Sequence, residues 1–546
     1  MARPRRTINR LQLGPIVGHT DATSTRIWIQ AFDDPGFYAL RIPGAGLFEF
    51  KPTENNALEF RTGIAIAQGL RPDRIYSYDV LRRGRRIPRS RGRFRTMPDP
   101  ASMSDIQFVA ISCNSLKDGV WERFAAFVEE SQPRFLLMMG DQVYIDLDPP
   151  DVFDEHFASS RAVRRKALAE KYRLNWQREP VRRVLANVPT YMIWDDHEIR
   201  DGWGSFAPDS PTLAARFPGS REIFERFNAY FEDARDAYWH FQGCHNPVPF
   251  PGQDPALPNY IGAPPAGGQR RAMPFVFRCG RIVVLVLDSR GERDVFRKKY
   301  PVLGREQWGF VEHVFEHLDP SVDALAVVTP TPIASLDPEG QAQTVFGDRT
   351  DDVERFKRRD LEGLVDFSGD DSVGSIALTA LNPRISRLTG RQQNLGGFKR
   401  GAIDEARDQW SHRFSRPEQI ALIRKAGQAL RKNRPSGAAR ELLFLSGDIH
   451  VGGIYDISSA NPRFEAQSLI SSGISKDSGL VPVLGVFLDE DFEVGPGIRS
   501  KLRHVVNTFN FGVVRVIPNG TGAEVKGVVA HEGNSFAVGV DILDLL

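Results

Sequence analysis

Two short stretches of this sequence decide its fold: residues 134–146, RFLLMMGDQVYID, and residues 190–198, TYMIWDDHE. Each begins with an apolar run of strand length and passes directly into residues that carry ionisable groups. Short apolar runs bounded by turn residues are typical of strands that are buried on both faces. Ligands of open α/β sheets bind beyond the carboxyl ends of the strands. Both stretches therefore predict functional residues at that end of a sheet.

The same pattern recurs from residue 106 onward. Helical segments such as 119–131 and 417–432 lie between the apolar runs, which indicates an α/β body. Residues 511–517 and 523–530 flank the turn sequence PNGTG and predict a hairpin. The six strand candidates are 106–111, 134–139, 190–194, 282–287, 324–329 and 441–445.

The N-terminal part has a different pattern. Residues 11–97 contain β-rich segments such as 25–30, 38–42 and 76–81, separated by Gly, Pro and Asp clusters, which predicts a small sandwich of immunoglobulin or fibronectin type. We therefore expect a β-sandwich domain over 1–100 and a second domain over 101–546. The charges agree with this division, since residues 1–100 hold 18 Lys and Arg against nine acidic residues, and the remainder holds 53 against 60.

Eight arginines lie between Arg82 and Arg95. Such a run could contact nucleic acid or another anionic surface. The alternative is a solvated hairpin whose arginines pair with the acidic body. We favour the alternative, and do not expect a nucleic-acid partner, because Phe94 alone interleaves with the arginines, whereas a stacking platform would require several aromatic residues.

The composition excludes several classes of protein. With 26% charged and 41% hydrophobic residues, the chain is not disordered, collagen-like or held by a disulfide framework. Cys113, Cys244 and Cys279 are expected to be thiols, although a bridge between the last two is conceivable. The first residues lack the apolar stretch of a secretory signal, and no run approaches the length of a membrane span. We expect a cytoplasmic protein without a transmembrane segment, unless a leader has been removed.

Five of the apolar strands are followed by clusters of reactive side chains. Together the clusters supply thiol, carboxylate, phenol and imidazole groups, which are metal ligands. Each cluster alone is weak evidence: Gly-Asp is a common turn, a lone Cys is usually a small apolar residue, and Asp288 with Arg290 could equally be a structural ion pair. Residues 195–198 carry more weight, because four ionisable groups after a buried strand repel one another unless they are exposed or hold a cation. The clusters are 112–114, 140–146, 195–198, 288–290 and 446–450.

Two long segments interrupt the alternation of strands and helices. Residues 244–274 are rich in Pro and Gly and are expected to form a loop. Residues 334–409 are too long for an ordinary connection and begin near the same end of the sheet as the clusters. We expect an insert that acts as a lid over the site, with a peripheral insertion as the alternative.

The clusters also carry a resemblance. Their order, with Ser-Cys-Asn, GDQVY, WDDHE, LDSR and SGDIH in succession, is similar to that of calcineurin-like metallophosphoesterases and, in these particular forms, to the PhoD-like alkaline phosphatase D family. The resemblance implies an α/β fold of the calcineurin-like αββα sandwich type, with a small N-terminal β domain like the family's own. The chain departs from the family in lacking a twin-arginine leader and in the length of 334–409.

The resemblance also implies roles for individual residues. A ferric ion would be held by Cys113, Asp141 and Tyr144, and Asp141 would bridge to a neighbouring calcium ion. Further metal ligands would be Asp195, Asp196, Asp448 and His450, with Glu198 as a ligand or a residue behind the ligands. The catalytic residues would be His197, beside the scissile phosphate, and Asp141. Asn114 and Arg290 are our candidates for contacts to the phosphate.

These residues predict a metal-dependent phosphoesterase. The substrate would be a small phosphate ester, attacked by a hydroxide on the Fe³⁺/Ca²⁺-type centre, although other divalent metals are possible. We expect a phosphomonoesterase with possible phosphodiesterase activity. The alternatives are a phosphodiesterase or phospholipase acting on lipid head groups or nucleotides, and a binding protein that uses the arginine-rich module and keeps a vestigial site.

Overall fold

The computed structural model describes residues 10–53, 59–247, 272–338, 350–359, 408–434, 438–476, 488–506, 508–519 and 522–531. The described residues form a mixed α/β protein with four sheets. The strands are β1 Leu13–Thr20, β2 Thr25–Gln30, β3 Tyr38–Ile42, β4 Gly46–Glu49, β5 Lys51–Pro52, β6 Thr62–Ala67, β7 Ile75–Arg82, β8 Arg85–Arg86, β9 Gly92–Arg95, β10 Ile106–Ile111, β11 Leu136–Met139, β12 Thr190–Ile193, β13 Phe275–Cys279, β14 Ile282–Val286, β15 Ala324–Val328, β16 Glu441–Ser446, β17 Gly452–Ala460, β18 Arg463–Ile470, β19 Asp491–Gly495, β20 Ile498–Val506, β21 Asn510–Pro518 and β22 Ala523–His531. The α-helices are α1 Trp121–Ser131, α2 Val152–His156, α3 Arg161–Trp176, α4 Glu179–Leu185, α5 Pro211–Arg216, α6 Arg221–Phe241, α7 Gly304–Glu316, α8 Thr350–Arg358 and α9 Arg416–Ala429.

The first nine strands form two sheets of their own. One has the order β1-β2-β6-β5 and the other the order β4-β3-β7-β8, with β9 paired to β7. The two sheets enclose a core that includes Ile27, Leu40 and Val80, because alternate residues of each strand point to the same face. The boundary at residue 100 stays a prediction.

The arginine-rich run is largely a hairpin at the edge of this module. Arg82 pairs with Asp33, and Arg95 pairs with Asp73 over 2.8 Å. Arg85, Arg89 and Arg91 are exposed. The arginines are thus solvated and paired as expected, but the acidic partners just named lie within the same module and not in the acidic body.

The remaining strands form two larger sheets. The first has the order β12-β11-β10-β21-β22 and the second the order β13-β14-β15-β16-β18-β17-β20-β19. Each of the six strands predicted in the body is present, with bounds that shift by at most two residues, and the C-terminal hairpin is β21 with β22. The six strands divide equally between the sheets, since β10 to β12 are parallel neighbours in one and β14 to β16 in the other.

The two sheets pack face to face and carry helices outside. Tyr191 of the first sheet stacks on Phe277 of the second with ring centroids 3.7 Å apart. On β14, Val284 belongs to the core between the sheets, whereas Leu285 belongs to a second core that α7 and α9 cover. This is the layered sandwich that the sequence predicted.

Several predictions concern residues that the structure covers only in part. Of the predicted loop 244–274, residues 248–271 lie outside the described residues. Of the predicted lid 334–409, only 334–338, 350–359 and 408–409 are described, and they include α8. All three cysteines are free thiols. None of the described helices is long and apolar enough to cross a membrane.

Candidate metal centre

The clusters predicted from the sequence meet at the carboxyl ends of the parallel strands. Cys113 follows β10 and Asp141 follows the neighbouring strand β11, and their loops are joined directly. The amide of Cys113 donates to the carbonyl of Gly140 over 3.3 Å, and the amide of Asn114 donates to the carbonyl of Asp141 over 2.7 Å. Asp448, which follows β16 in the second sheet, reaches the same place, since its carbonyl lies 3.6 Å from the Cys113 sulfur.

The backbone at these positions is strained. Cys113, Asp141, Asp448 and His450 have φ angles of 58°, 55°, 73° and 57°, in the left-handed region that residues with a Cβ rarely adopt. Such strain persists only where the surrounding structure fixes it, and it concentrates at functional sites. Eight other described residues that are not glycine also have positive φ angles, so the four angles here support a functional centre only together with the chemistry of the side chains.

A glycine permits the close approach of the two sheets here. A Cβ on Gly447 would lie 2.1 Å from the Ser112 hydroxyl oxygen and 2.4 Å from its Cβ. The sequence indicated only a turn at this Gly-Asp pair. Besides forming a turn, Gly447 allows the loop after β16 to lie against the end of β10.

Three overlapping groups of side chains could each hold a metal ion, with the ligand atoms of each group within 4.8 Å of one another. Asp141 belongs to all three groups. The arrangement therefore suits two neighbouring cations that share the Asp141 carboxylate. The groups are Cys113 with Asp141 and His450; Asp141 with Asp196 and His197; and Asp141 with Asp195, Asp196 and Asp448.

Tyr144 completes the first group. Its hydroxyl lies 3.3 Å from Asp141 Oδ2 and 2.9 Å from His450 Nε2. The Cys113 sulfur lies 3.5 Å from the same carboxylate oxygen. Burial raises the pKa of both the thiol and the phenol, and the neighbouring Asp141 raises both further. A cation at this point would reverse that effect by stabilising both anions.

The charge balance of the cluster fits bound cations. Burial raises the pKa of Asp141 well above its ordinary range, and the like charges of Asp196 and Asp195 raise it further. The pKa of Asp448 is raised in the same way. Asp141 Oδ1 and Asp195 Oδ2 are buried and accept no hydrogen bond within the described residues. Buried carboxylate oxygens without partners are costly unless a cation coordinates them.

Glu198 holds the ligand loops together. Its Oε2 accepts hydrogen bonds from the amides of Asp141 (3.0 Å) and Asp195 (2.9 Å). Its Oε1 accepts from the amide of Gln142 (2.8 Å) and from the Gln242 side chain (2.9 Å). Of its two implied roles, the geometry therefore favours that of a residue behind the ligands.

The surroundings shift the pKa values of the two histidines in opposite directions. His197 Nδ1 lies 2.8 Å from Asp146 Oδ1, and the other oxygen of Asp146 accepts from the amide of Asp201. Burial lowers the pKa of His197, but the carboxylates of Asp146 and Asp196 outweigh burial and raise it well above its ordinary value. Burial lowers the pKa of His450 to about 3, with further lowering by His197 and Lys476. These shifts favour a protonated His197, which could donate a proton, and a neutral His450, as a metal ligand must be.

Asn114 and Arg290, our candidates for phosphate contacts, have no exposed surface. Asn114 Oδ1 accepts from Trp121 (2.8 Å) and Arg178 (2.6 Å). The Arg290 guanidinium pairs with Asp195 and with Asp408. The Asp288 carboxylate accepts hydrogen bonds from Trp194 Nε1 and from the backbone amides of Met273, Arg290 and Gly291. Arg290 therefore forms an ion pair, but with different partners from the one considered. A role in phosphate contact stays a prediction for both residues.

Sequence reasoning missed two members of the site. Asp408 comes from the end of a segment without periodicity and reaches Arg290 across 118 positions of sequence. Lys476, which lies against Tyr144, follows no predicted strand directly.

Two facing sheets thus bring thiol, carboxylate and imidazole side chains, all of which can bind metal ions, together at the strand ends. Residues 108–315 match the family model described as PhoD-like phosphatase. This match confirms the predicted resemblance and the predicted class of enzyme, a phosphoesterase, and the family implies bound metal ions.

A solved structure supports this fold. A structure of PhoD is similar with a TM-score of 0.56 at 14% identity, covering 99% of this chain and 94% of that chain. Purple acid phosphatase PPD1 from seeds of yellow lupin (Lupinus luteus) gives a TM-score of 0.46 at 10% identity, over 95% of this chain and 71% of that chain. No curated protein matches the sequence.

Proposed function

We propose that this chain is a phosphomonoesterase with secondary phosphodiesterase activity, acting on small phosphate esters at a metal pair bridged by Asp141. The observation that carries the proposal is the position of Asp141 in all three ligand groups, together with its buried oxygen that lacks a partner. Two cations about 3.5–4 Å apart can stabilise the attacking and leaving oxygens of a phosphoester, and a carboxylate shared by both would hold them at such a spacing.

The donor sets support two different metals. Cys113 and Tyr144 are soft or strongly donating anions when deprotonated, which favours a ferric ion in the group with Asp141 and His450. The oxygen ligands of Asp195, Asp196 and Asp448 favour a hard cation such as calcium. When bound, such a pair lowers the pKa of water and neutralises the oxygens of the phosphoryl group.

The chain itself supplies the proton for the leaving group. Asp146 engages Nδ1 of His197, which leaves Nε2 as the nitrogen that can face the substrate. A protonated imidazole at this point would donate its proton to the departing alkoxide, and such assistance is worth about 10²–10⁴-fold in rate.

Metal analysis combined with assays of a phosphomonoester and a phosphodiester tests the proposal. We expect iron and calcium in the purified protein, visible colour from thiolate and tyrosinate bound to ferric iron, and faster hydrolysis of the monoester. Colourless, fully active protein that contains only zinc or manganese would overturn the metal assignment and leave the phosphoesterase standing. A cytoplasmic location and a lid over 334–409 stay predictions.

A further inference from the structure

Lys476 lies at the edge of the metal cluster and has no role in the function proposed above. Its amide donates to the carbonyl of Cys113 over 3.1 Å, which fixes it beside the first ligand group. Its ammonium lies 4.7 Å from the centre of the Tyr144 ring. The Lys476 side chain is 19% exposed, whereas Cys113, Asp141 and Tyr144 have no exposed surface. The ammonium therefore lies where the buried ligands meet the solvent.

Within the described residues, the ammonium of Lys476 donates no hydrogen bond. The carboxylate paired with it, that of Asp148, is 3.8 Å from Nζ, which is beyond hydrogen-bond distance. No group within the described ranges accepts a hydrogen bond from Nζ. A lysine ammonium has three donors, so all three can serve a ligand.

Three other cations close to the cluster are already engaged. Arg290 is held by Asp195 and Asp408. Lys171 donates to the carbonyls of Asp148 and Pro150. Arg178 donates to the side chains of Asn114 and Asn175. Of these four cations, Lys476 is the one placed to meet an anion that arrives from solvent.

We propose that Lys476 binds the second negative charge of a phosphate monoester and thereby makes monoesters the preferred substrate class of this site. The inference rests on the proposed phosphoesterase function. A phosphate monoester loses its second proton with a pKa of about 6, so it is largely a dianion at neutral pH. A diester has one charge, because a second ester group replaces the oxygen that Lys476 would bind.

The competing role for Lys476 is structural. Its charge balances that of Asp148, and its ammonium lies over the Tyr144 ring. If the role is structural, substitution of Lys476 should lower kcat/KM equally for monoesters and diesters, because a disturbed metal cluster would hydrolyse both more slowly. The ratio of monoesterase to diesterase activity therefore separates the two roles.

The test uses the full-length, metal-loaded protein with 4-nitrophenyl phosphate and bis(4-nitrophenyl) phosphate, which share a leaving group. In Lys476→Gln we expect kcat/KM for the monoester to fall about 10- to 100-fold, the loss of one charge-assisted hydrogen bond, while the diester changes by less than about 3-fold. Metal content should be unchanged. Lys476→Arg should recover most of the monoester activity. The control is Lys425→Gln, which removes a lysine paired on the surface with Glu312 at 2.7 Å.

Lys476→Met provides a second neutral variant, with an unbranched side chain that can still contact the Tyr144 ring, and it must show the same selective loss. Equal losses on both esters, loss of metal, or an unchanged ratio in both neutral variants would overturn the assignment. Wild-type protein that hydrolyses only the diester would overturn it as well. Wild-type holoenzyme that hydrolyses neither ester would instead contradict the proposed function itself.

Discussion

At the scale of single residues, Asp141 has the largest predicted effect. Asp141→Asn removes the one charge that all three ligand groups share. We therefore expect metal content and phosphatase activity to fall together, the activity by at least about 100-fold, as for loss of a ligand to both metals. Elemental analysis and an assay on the same preparation measure both quantities. The matched control is Asp491→Asn, which breaks an exposed ion pair with Arg499 and should change neither. Full metal occupancy in Asp141→Asn would contradict the bridging role.

His197 should separate chemistry from metal binding. His197→Ala removes the proposed proton donor, so turnover of an ester with a poor leaving group should fall about 10²–10⁴-fold while most of the metal stays bound. His197 also belongs to one ligand group with Asp141 and Asp196. Loss of metal from the variant would therefore identify His197 as a ligand, and unchanged turnover would remove its assigned role.

Asp146 sets the protonation of His197. The protonated imidazole acts as donor, so the rate should fall as pH rises through the pKa of His197. Because the Asp146 carboxylate helps to raise that pKa, Asp146→Asn should move this fall in kcat to lower pH. A pH–rate profile of wild type and variant with a poor leaving group measures the shift. An alkaline limb that stays in place would show that another group titrates there.

At the scale of elements, Gly447 controls how the two sheets meet. Gly447→Ala places a Cβ 2.1 Å from the Ser112 hydroxyl, so the loop after β16 must move away from β10. We expect a loss of about 1–3 kcal/mol in the free energy of unfolding and a lower metal content, measured by denaturant unfolding and elemental analysis.

Gly309 provides the control for this substitution. It lies inside α7, and a Cβ there meets no atom within 4 Å. Gly309→Ala should therefore stabilise the protein by about 0.5–1 kcal/mol, since alanine is the better helix former. Wild-type stability and metal content in Gly447→Ala would show that the approach of the sheets is not essential to the centre.

The strands of the body could be predicted because strands buried on both faces leave continuous apolar runs. Their division between two sheets could not. In β14, Val284 and Leu285 are equally apolar, although one faces the other sheet and the next faces the helices. An apolar run indicates that both faces of a strand are buried. It does not indicate which face packs against the other sheet and which packs against the helices.

Residues of the site could be predicted where a reactive side chain directly follows a strand, as at Cys113, Asp141 and Asp195. A residue of the site could not be predicted where it lies in a segment without regular secondary structure. Asp408 and Lys476 depend on the path of such segments, and this path is set by packing and not by periodicity. The same limit applies to Asn114 and Arg290, whose burial follows from partners distant in sequence.

At the scale of the whole molecule, the N-terminal module and the body share a core. Trp28 has no exposed surface, lies 5.7 Å from Phe241 between ring centroids, and donates from Nε1 to the carbonyl of His240 over 2.8 Å. Trp28→Ala should therefore lower the free energy of unfolding of the entire chain by about 3–5 kcal/mol. The control Leu47→Ala, at a side chain that is 61% exposed, should have little effect. Separate unfolding of the two parts, with the body unaffected by Trp28→Ala, would contradict the shared core.

The central claim, that this molecule hydrolyses phosphate monoesters with metals held at Asp141, is tested most directly by reversible metal removal. The measurement is the hydrolysis of 4-nitrophenyl phosphate by the full-length protein as isolated, after chelation, and after iron and calcium are added back, with metal content determined at each stage. We predict that activity and bound metal are lost together and return together in the wild type, and that Asp141→Asn recovers neither. Metal-free protein with full activity, or fully metallated wild-type protein with no activity on any phosphate ester, would contradict the account.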